Sequence, residues 1–416
     1  MNIAIVGGGA AGFFLAIHAK ELLPKARVVI IEKSSQPLSK VKMSGGGRCN
    51  VTNSFALVSD LAQVYPRGAK LLKRLFAAFN HEDAFEWFES HGVPLVTQDD
   101  ECVFPRSQNS ESIILCLTRR AKELGVEVRT KVSVEGITPV EGGLQLQTES
   151  TFHGLQNEVF HAVALTTGGA SKGEGHDWLA ALGHRIEPPC PSLFTFNIAD
   201  RALTSLMGIV VEEAIASIPG TKLRGEGPLL ITHWGLSGPA ILKLSSHAAR
   251  HLHNANYRAP LLIAWAGTTN SEAVLQALLT LQNEGGRKQM GNVRPDYLQT
   301  RLWHYLLQRA GLSPEKLWGE VGRKGLNRLA NVLTADAYTI TGQGTYKEEF
   351  VTCGGVSLKS VHPSTLESKP CPGLFFAGEV LDIDGVTGGF NFTAAWSTAY
   401  AAAHGIAARL QQENAE

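Results

Sequence analysis

Gly7, Gly9 and Gly12 stand in the spacing G-x-G-x-x-G, and Glu32 follows twenty residues after the last of them. Such a glycine triplet supplies a tight turn, a backbone that can approach a pyrophosphate, and a helix packed close to a sheet. The helix N-terminus then offers N–H donors and a partial positive charge to phosphate oxygens. An acidic residue at the end of the following strand can accept from both ribose hydroxyls. A second polar segment, Gly378-Glu379 through Gly389-Phe390-Asn391, follows an apolar run near the C-terminus. A third is the glycine-rich stretch from Lys40 through Ser44-Gly45 to Asn50-Val51-Thr52. Its short side chains let backbone N–H groups crowd around anionic or carbonyl groups, with Lys40 adding positive charge. His233, in Thr232-His233-Trp234-Gly235, is the side chain best suited to bind or protonate a substrate carbonyl. The competing reading is a histidine that caps a turn.

The elements around these residues give the triplet its meaning. Residues 2–6 read as a short buried strand, the helical pattern starts at Ala10 and stops at Pro24, and 27–31 is a second strand ending at Glu32. That is a βαβ unit, the context the dinucleotide fingerprint requires. The fingerprint alone does not choose between FAD and NAD. The C-terminal segment does: a strand at 373–377 ending in Ala-Gly and then an acidic residue, followed by a glycine pair leading into a helix from about 393 to 410, resembles the way many two-dinucleotide-binding-type flavoproteins close their FAD site. Glu379 can accept from a ribityl hydroxyl. The helix N-terminus can face the flavin N1/C2=O edge, where reduction places negative charge.

Between these ends the pattern changes. Helical periodicity is expected at about 68–79, 81–91 and 110–124, with a strand at 126–129, a hairpin at 132–137 and 144–148 around Gly142-Gly143, and one apolar strand at 159–166 running into Thr167-Gly168-Gly169. Composition shifts near Pro188-Pro189-Cys190-Pro191. Short β-like runs follow at 193–198, 209–218, 228–232 and 261–266, then a helical stretch from 271 to 333 and a β-like one from 334 to 352.

Four segments together resemble a known family: the fingerprint with Glu32, the stretch Lys40 to Asn53 containing Ser44-Gly-Gly-Gly-Arg-Cys-Asn50, Thr232 to Pro239, and Gly354 to Asn391 with its G-E-x-x-D-x-x-G-x-x-G-G pattern. The sequence looks like the single-chain FAD flavoproteins grouped as bile-acid reductase-like or aminoacetone-oxidase-like proteins, over nearly its whole length. The resemblance implies an α/β fold: a two-dinucleotide-binding-type Rossmann FAD domain with a parallel sheet, an inserted β-barrel-like domain and a small helical subdomain. Expected boundaries are 1–188 plus 353–416, 189–270 plus 334–352, and 271–333. The expected FAD contacts are Gly7, Gly9, Ala11 and Gly12; Glu32 and Lys33; Lys40, Ser44, Gly45, Asn50, Val51 and Thr52; Val134; Thr167 and Gly168; and Gly378, Glu379, Gly389, Phe390 and Asn391. His233 is the candidate catalytic residue, and no metal is expected. One departure is visible: 170–176 is shorter than the loop the family has after Thr167-Gly168-Gly169.

Composition bounds the rest. In 416 residues, 38 Lys and Arg balance 38 Asp and Glu, and 43 glycines stand out. Hydrophobic residues at 44% and charged residues at 18% exclude a disordered chain. The zero net charge counts against nucleic acid as a partner. The six cysteines include no C-x-x-C pair and no zinc spacing, so free thiols in a reducing compartment are expected. A redox-active Cys49 is the minor alternative to a small residue packed near the flavin. The apolar N-terminus lacks the basic start of a signal peptide. No apolar run is long enough to span a membrane, so a cytoplasmic protein is expected. No second fingerprint appears, so NAD(P)H, a candidate transient donor, would dock directly against the flavin. The expected activity is hydride transfer through flavin N5 to or from a small organic molecule, by a reductase using NAD(P)H or an amine oxidase using dioxygen. The alternatives are a tRNA-acting flavoprotein and a non-catalytic FAD-binding redox sensor.

Overall fold

The computed structural model describes residues 1–150, 154–169, 177–344 and 351–413. The chain divides into two compact units, Met1–Pro191 with Glu348–Glu416, and Ser192–Lys347.

The first unit opens with β1 (Asn2–Val6), α1 (Ala10–Leu22) and β2 (Arg27–Glu32). Next come α2 (Ser39–Gly47), β3 (Thr52–Asn53), α3 (Ala69–Leu75) and α4 (His81–Ser90). The first turn of α2 is helical where a loop is expected; Gly45 and Gly46, at φ +58° and +67°, then break it. Asn80 starts α4 by accepting from Glu82 and Asp83 N–H, while the Asp83 side chain accepts from Asn80 N–H. β4 (Leu95–Thr97), β5 (Cys102–Pro105), α5 (Glu111–Glu123), β6 (Glu127–Thr130), β7 (Val132–Val140), β8 (Gly143–Ser150), β9 (Gly154–Phe160) and β10 (Ala162–Leu165) follow. The single strand expected at 159–166 is two. β9 pairs antiparallel with β8 up to Phe160, His161 N–H donates to Asn2 O, and β10 then runs parallel to β1. The chain changes partner there, so it cannot remain one strand. Two further elements, α6 (Asp177–Ala181) and β11 (Ile186–Ser192), complete this stretch.

The second unit contains β12 (Phe196–Ile198), α7 (Arg201–Thr204), β13 (Val210–Ser217), β14 (Arg224–Ile231), β15 (Gly235–Ser237), α8 (Pro239–His247), α9 (Ala249–Asn254) and β16 (Ala259–Ala264). It continues with α10 (Ser271–Gly285), α11 (Thr300–Arg309), α12 (Arg323–Ala335) and β17 (Asp336–Gln343). Six strands close a barrel in the order β12-β15-β14-β13-β16-β17. β17 alternates buried and exposed residues, as one wall of a barrel requires. The helices α10, α11 and α12 belong to the same compact unit as the barrel. The buried Asp336 carboxylate, at the start of β17, ties the end of α11 to the barrel: it accepts from Trp265 Nε1 at 3.0 Å, from Arg309 Nε at 2.7 Å and from the Tyr338 hydroxyl at 2.5 Å.

The chain re-enters the first unit through β18 (Val351–Val356), β19 (Leu374–Phe376) and α13 (Phe390–Glu413). The central sheet has the order β19-β10-β1-β2-β6, and every pairing is parallel. A parallel sheet is covered on both faces, which is why β1 and β2 read as unbroken apolar runs. Helix α1 is buried from Ala11 to Ala19 instead of along one stripe, because it packs against both the sheet and α13. The small residues of α13, among them Ala394, Ala395, Ala399 and Ala402, make room for it.

Gly12 is fixed by this packing. A Cβ there would lie 2.0 Å from Gly7 O and 2.8 Å from Thr166 Oγ1. Gly12→Ala should therefore lower stability by about 1–3 kcal/mol or more through overpacking. Thermal unfolding of the FAD-free protein should show a lowered midpoint; an unchanged midpoint would mean the helix can move away from the turn at no cost.

Candidate functional site

The β1–α1 turn is built by three close approaches. Gly7, at φ +111°, places its Cα where a Cβ would meet Thr166 O at 2.5 Å. The Thr166 hydroxyl lies 3.1 Å from Val6 O and 2.8 Å from Gly7 O. Gly7 N–H donates to Ile31 O at 2.8 Å. Together these hold Gly9 at the head of α1 in an extended conformation, with no side-chain cap. A Cβ at Gly9 would meet nothing within 4 Å. The space beside Gly9 is therefore open, and the first N–H groups of a helix have no partner within it. That is a cradle for an anionic group.

Glu32 sits beside the cradle. Its Oε2 accepts from Gly8 N–H and its Oε1 from Ser34 N–H, each at 2.7 Å. The carboxylate is thereby oriented, and each oxygen keeps a lone pair for a hydroxyl donor. Lys33 is exposed, and Ala11 is buried under Gly378, whose Cβ would lie 2.9 Å from Ala11 Cβ. Arrangement of a turn, an open helix end and an oriented carboxylate fits the pyrophosphate and adenosine ribose of FAD.

A second cluster joins residues far apart in sequence. Lys40 Nζ and Glu379 Oε2 pair at 2.6 Å, and Glu379 Oε1 accepts from Thr352 N–H at 2.8 Å. A Cβ at Gly168 would lie 3.7 Å from Glu379 Oε2 and 3.9 Å from Lys40 Nζ, so Gly168 belongs here too. Thr167, next to it, is exposed. Gly378 N–H is held by the Thr398 hydroxyl at 2.9 Å, which fixes the segment carrying Glu379. The segment 170–176, whose shortness the sequence singles out, lies outside the described residues.

A third cluster seats the start of α13. Oriented for its neighbours, the Asn50 amide donates to Val103 O at 3.2 Å and Thr52 O at 2.8 Å and accepts from Gly389 N–H at 3.1 Å. The Thr52 hydroxyl is buried and lies 2.8 Å from the Thr393 hydroxyl. Val51 is buried, with its N–H on Val103 O and its carbonyl accepting from Trp396 Nε1. The Asn391 amide brackets Gly385, accepting from its N–H and donating to its O at 2.8 and 2.9 Å. The Phe390 ring packs edge-on to Phe55 and Tyr65. In this cluster, then, the side chains of Asn50, Val51, Thr52, Phe390 and Asn391 bond or pack within the protein. What they leave toward a cofactor is backbone: the first-turn amides of α13. Ser44 and Gly45 lie on the rim of the same region; the Ser44 hydroxyl donates to Val41 O at 2.9 Å, and Gly46 and Gly47 have open space where a Cβ would stand. Val134 is half-buried in the β7–β8 hairpin opposite Thr148.

Sequence reasoning missed four contributors. Thr166 closes the Gly7 turn, and Thr352 orients Glu379. Asn53 Nδ2 donates to Gly388 O at 3.0 Å, and Arg67 makes a two-pronged ion pair with the buried Asp384. Only Asn53 and Thr166, which adjoin motif residues, carried a signal that could have found them. Burial pushes the Cys49 thiol up to about 12 despite a hydrogen bond with Ser44, so it is a neutral packing group and not a ready nucleophile.

His233 belongs to the second unit, in the turn between β14 and β15. Thr232 holds that turn: its N–H donates to Gly235 O and its hydroxyl accepts from Gly235 N–H. The His233 ring is exposed and meets the Trp234 ring edge-on at 4.4 Å.

The cradle can be probed by one methyl group. Gly9→Ala should leave the stability of FAD-free protein within about 1 kcal/mol, since nothing stands in the way, yet weaken FAD binding at least tenfold by intruding on the pyrophosphate. Titration of apoprotein with FAD checks this; unchanged affinity would remove the cradle from the cofactor site.

The family described as "HI0933-like protein Rossmann domain" matches residues 1–405. The chain is 25% identical to the 3-dehydro-bile acid delta(4,6)-reductase of Clostridium scindens, covering 98% of this chain and 99% of that one. It is 28% identical to the ribosomal RNA dihydrouridine synthase of Escherichia coli, covering 97% of each. Among solved structures, the 3-ketosteroid-delta4-(5alpha)-dehydrogenase of Rhodococcus jostii superposes over 98% of this chain and 96% of that one, with a TM-score of 0.51 and 14% identity, a likeness of fold. With a turn and helix end that fit a pyrophosphate and a family match across nearly its full length, this chain belongs to the HI0933-like family of FAD-dependent Rossmann oxidoreductases.

Proposed function

We propose that the protein is a reductase that saturates a carbon–carbon double bond conjugated to a carbonyl, with NAD(P)H as the source of electrons. The observation that carries this reading is that two relatives matched over nearly the whole chain bear names for one kind of reaction. A delta(4,6)-reduction of a 3-oxo steroid and the conversion of uridine to dihydrouridine both add hydrogen across a C=C bond in conjugation with C=O. When bound, FAD supplies two-electron hydride chemistry at flavin N5.

The chain's own residues supply the rest. The first amides of α1 hold the pyrophosphate, and Glu32 orients the adenosine ribose. Lys40 and Glu379 form a charged pair at the ribityl end. The first-turn amides of α13 stabilise negative charge at the N1/C2=O edge. His233 binds the substrate carbonyl or gives it a proton; Thr232 already holds the turn, so the imidazole is free of that duty. The second unit, which carries His233, selects the substrate.

A second reading gives the same chemistry an RNA substrate. Charge is unevenly divided: of the 38 Lys and Arg, 16 lie in Ser192–Lys347, against only 10 of the 38 Asp and Glu. The balanced total therefore conceals a basic second unit, and basic surfaces neutralise phosphate backbones.

Anaerobic stopped-flow measurement separates these readings. NADH or NADPH should bleach the flavin, and a conjugated enone should restore its colour while the saturated ketone does not. Recovery with uridine-containing RNA but not with the steroid enone would favour the second reading. Bleaching by a primary amine and not by either nicotinamide would overturn both. His233→Ala should lower turnover per bound flavin by about 100-fold or more, as loss of a general acid does, with FAD content unchanged. Lower FAD content at unchanged turnover per flavin would make the histidine structural.

A further inference from the structure

Cys190 on β11 and Cys353 on β18 bring their sulfurs to 3.1 Å, closer than ordinary sulfur–sulfur contact. Both are buried, at 2% and 0% exposure. They come from the two segments by which the chain leaves and re-enters the first unit, and the two strands form a sheet of their own. The strands are pressed together: Gly354 has φ +99°, and a Cβ there would lie 2.5 Å from Pro188 O. A disulfide needs an S–S distance of about 2.05 Å, so closure asks the two sulfurs to move by about an ångström in total.

The surroundings hold this pair as thiols at rest: the hydrogen bond with Cys190, and then burial, keep the Cys353 thiol above its ordinary range. The Arg67 guanidinium acts the other way, toward a thiolate, while the Asp384 carboxylate that it pairs with adds to the upward shift. The pair therefore rests as a dithiol until an oxidant reaches it. The residues on either side of Cys353 are tied to the C-terminal segment of the site: Thr352 N–H to Glu379 and Gly354 N–H to Asp382.

We propose that Cys190 and Cys353 are a redox-active dithiol that a small hydroperoxide converts to a disulfide, covalently joining the two connecting strands beside Glu379. One sulfur attacks a peroxide oxygen; the O–O bond breaks, an alcohol (or water, from hydrogen peroxide) leaves, and a sulfenic acid forms. The second sulfur then attacks the sulfenic sulfur; the S–S bond forms, the S–O bond breaks and water leaves. Two thiols lose two protons and two electrons, and the peroxide takes both. A reducing cytosol would return the pair to thiols.

The test uses the FAD-loaded protein. It is treated with hydrogen peroxide, its remaining thiols are blocked with N-ethylmaleimide, and it is digested with trypsin without reduction. Cys190 and Cys353 fall in separate peptides, 186–201 and 348–359, each with a single cysteine. The free-thiol count should fall from six by two, the two peptides should run as one cross-linked species, and dithiothreitol should restore all six. In Cys190→Ser the cross-link should vanish and the Cys353 peptide should carry irreversible sulfinic or sulfonic acid instead. Retention of six thiols in the wild type, or first loss at Cys49, Cys102, Cys116 or Cys371, would overturn the proposal, and because these outcomes are read on the wild type, they do not depend on the variant folding.

Discussion

The site depends on one contact between backbones. Gly7, Gly12 and Thr166 lie so close that neither glycine has room for a Cβ. This closeness presses α1 onto the sheet and points its N-terminus at the C-terminal edge of β1, where parallel sheets bind ligands. The Thr166 hydroxyl, between Val6 O and Gly7 O, keeps the turn from opening. Glu32 reinforces it from the other side through Gly8 N–H. Open space at Gly9 exists because its neighbours have none.

The opposite end of the cofactor region is assembled from residues with no sequence proximity. Asn50 and Asn53 hold Gly389 and Gly388, and Arg67 holds Asp384. A Cβ on Gly389 would lie 2.2 Å from Thr52 O, so the head of α13 is seated against β3 as tightly as the β1–α1 turn is against Thr166. Two helix N-termini are thus aimed by the same device, a glycine where the backbone of another segment must pass. Polar side chains nearby serve mostly to lock these approaches, which leaves main-chain amides as the groups facing a cofactor.

Much of this was legible in the sequence, for stated reasons. The strand at 2–6, the helix from Ala10 and the strand ending at Glu32 follow from apolar runs and glycine spacing, and the structure has each of them. Barrel strands such as β13 and β16 were visible as short β-like runs. Helices α8 and α9 were not anticipated, because at nine and six residues they are too short for a helical period to stand out. The fingerprint spacing reports how the backbone turns, but not where a neighbouring side chain points. Hence Asn50, Thr52 and Asn391, expected as cofactor ligands by type and place, have side chains bonded within the protein. Arg67 pairs with Asp384 across 317 residues and Cys190 with Cys353 across 163, and no local pattern encodes either. The balanced charge of the whole chain likewise hid the basic bias of Ser192–Lys347.

Hydrogen–deuterium exchange on apoprotein with and without FAD tests the backbone cradle most directly. If the open amides of α1 hold the pyrophosphate, FAD should slow exchange most in the peptide covering Gly9 to Gly12, and next at the head of α13 around Phe390 and Asn391. Protection confined to side-chain-rich segments, with the amides of Gly9 to Gly12 exchanging as fast as before, would contradict it.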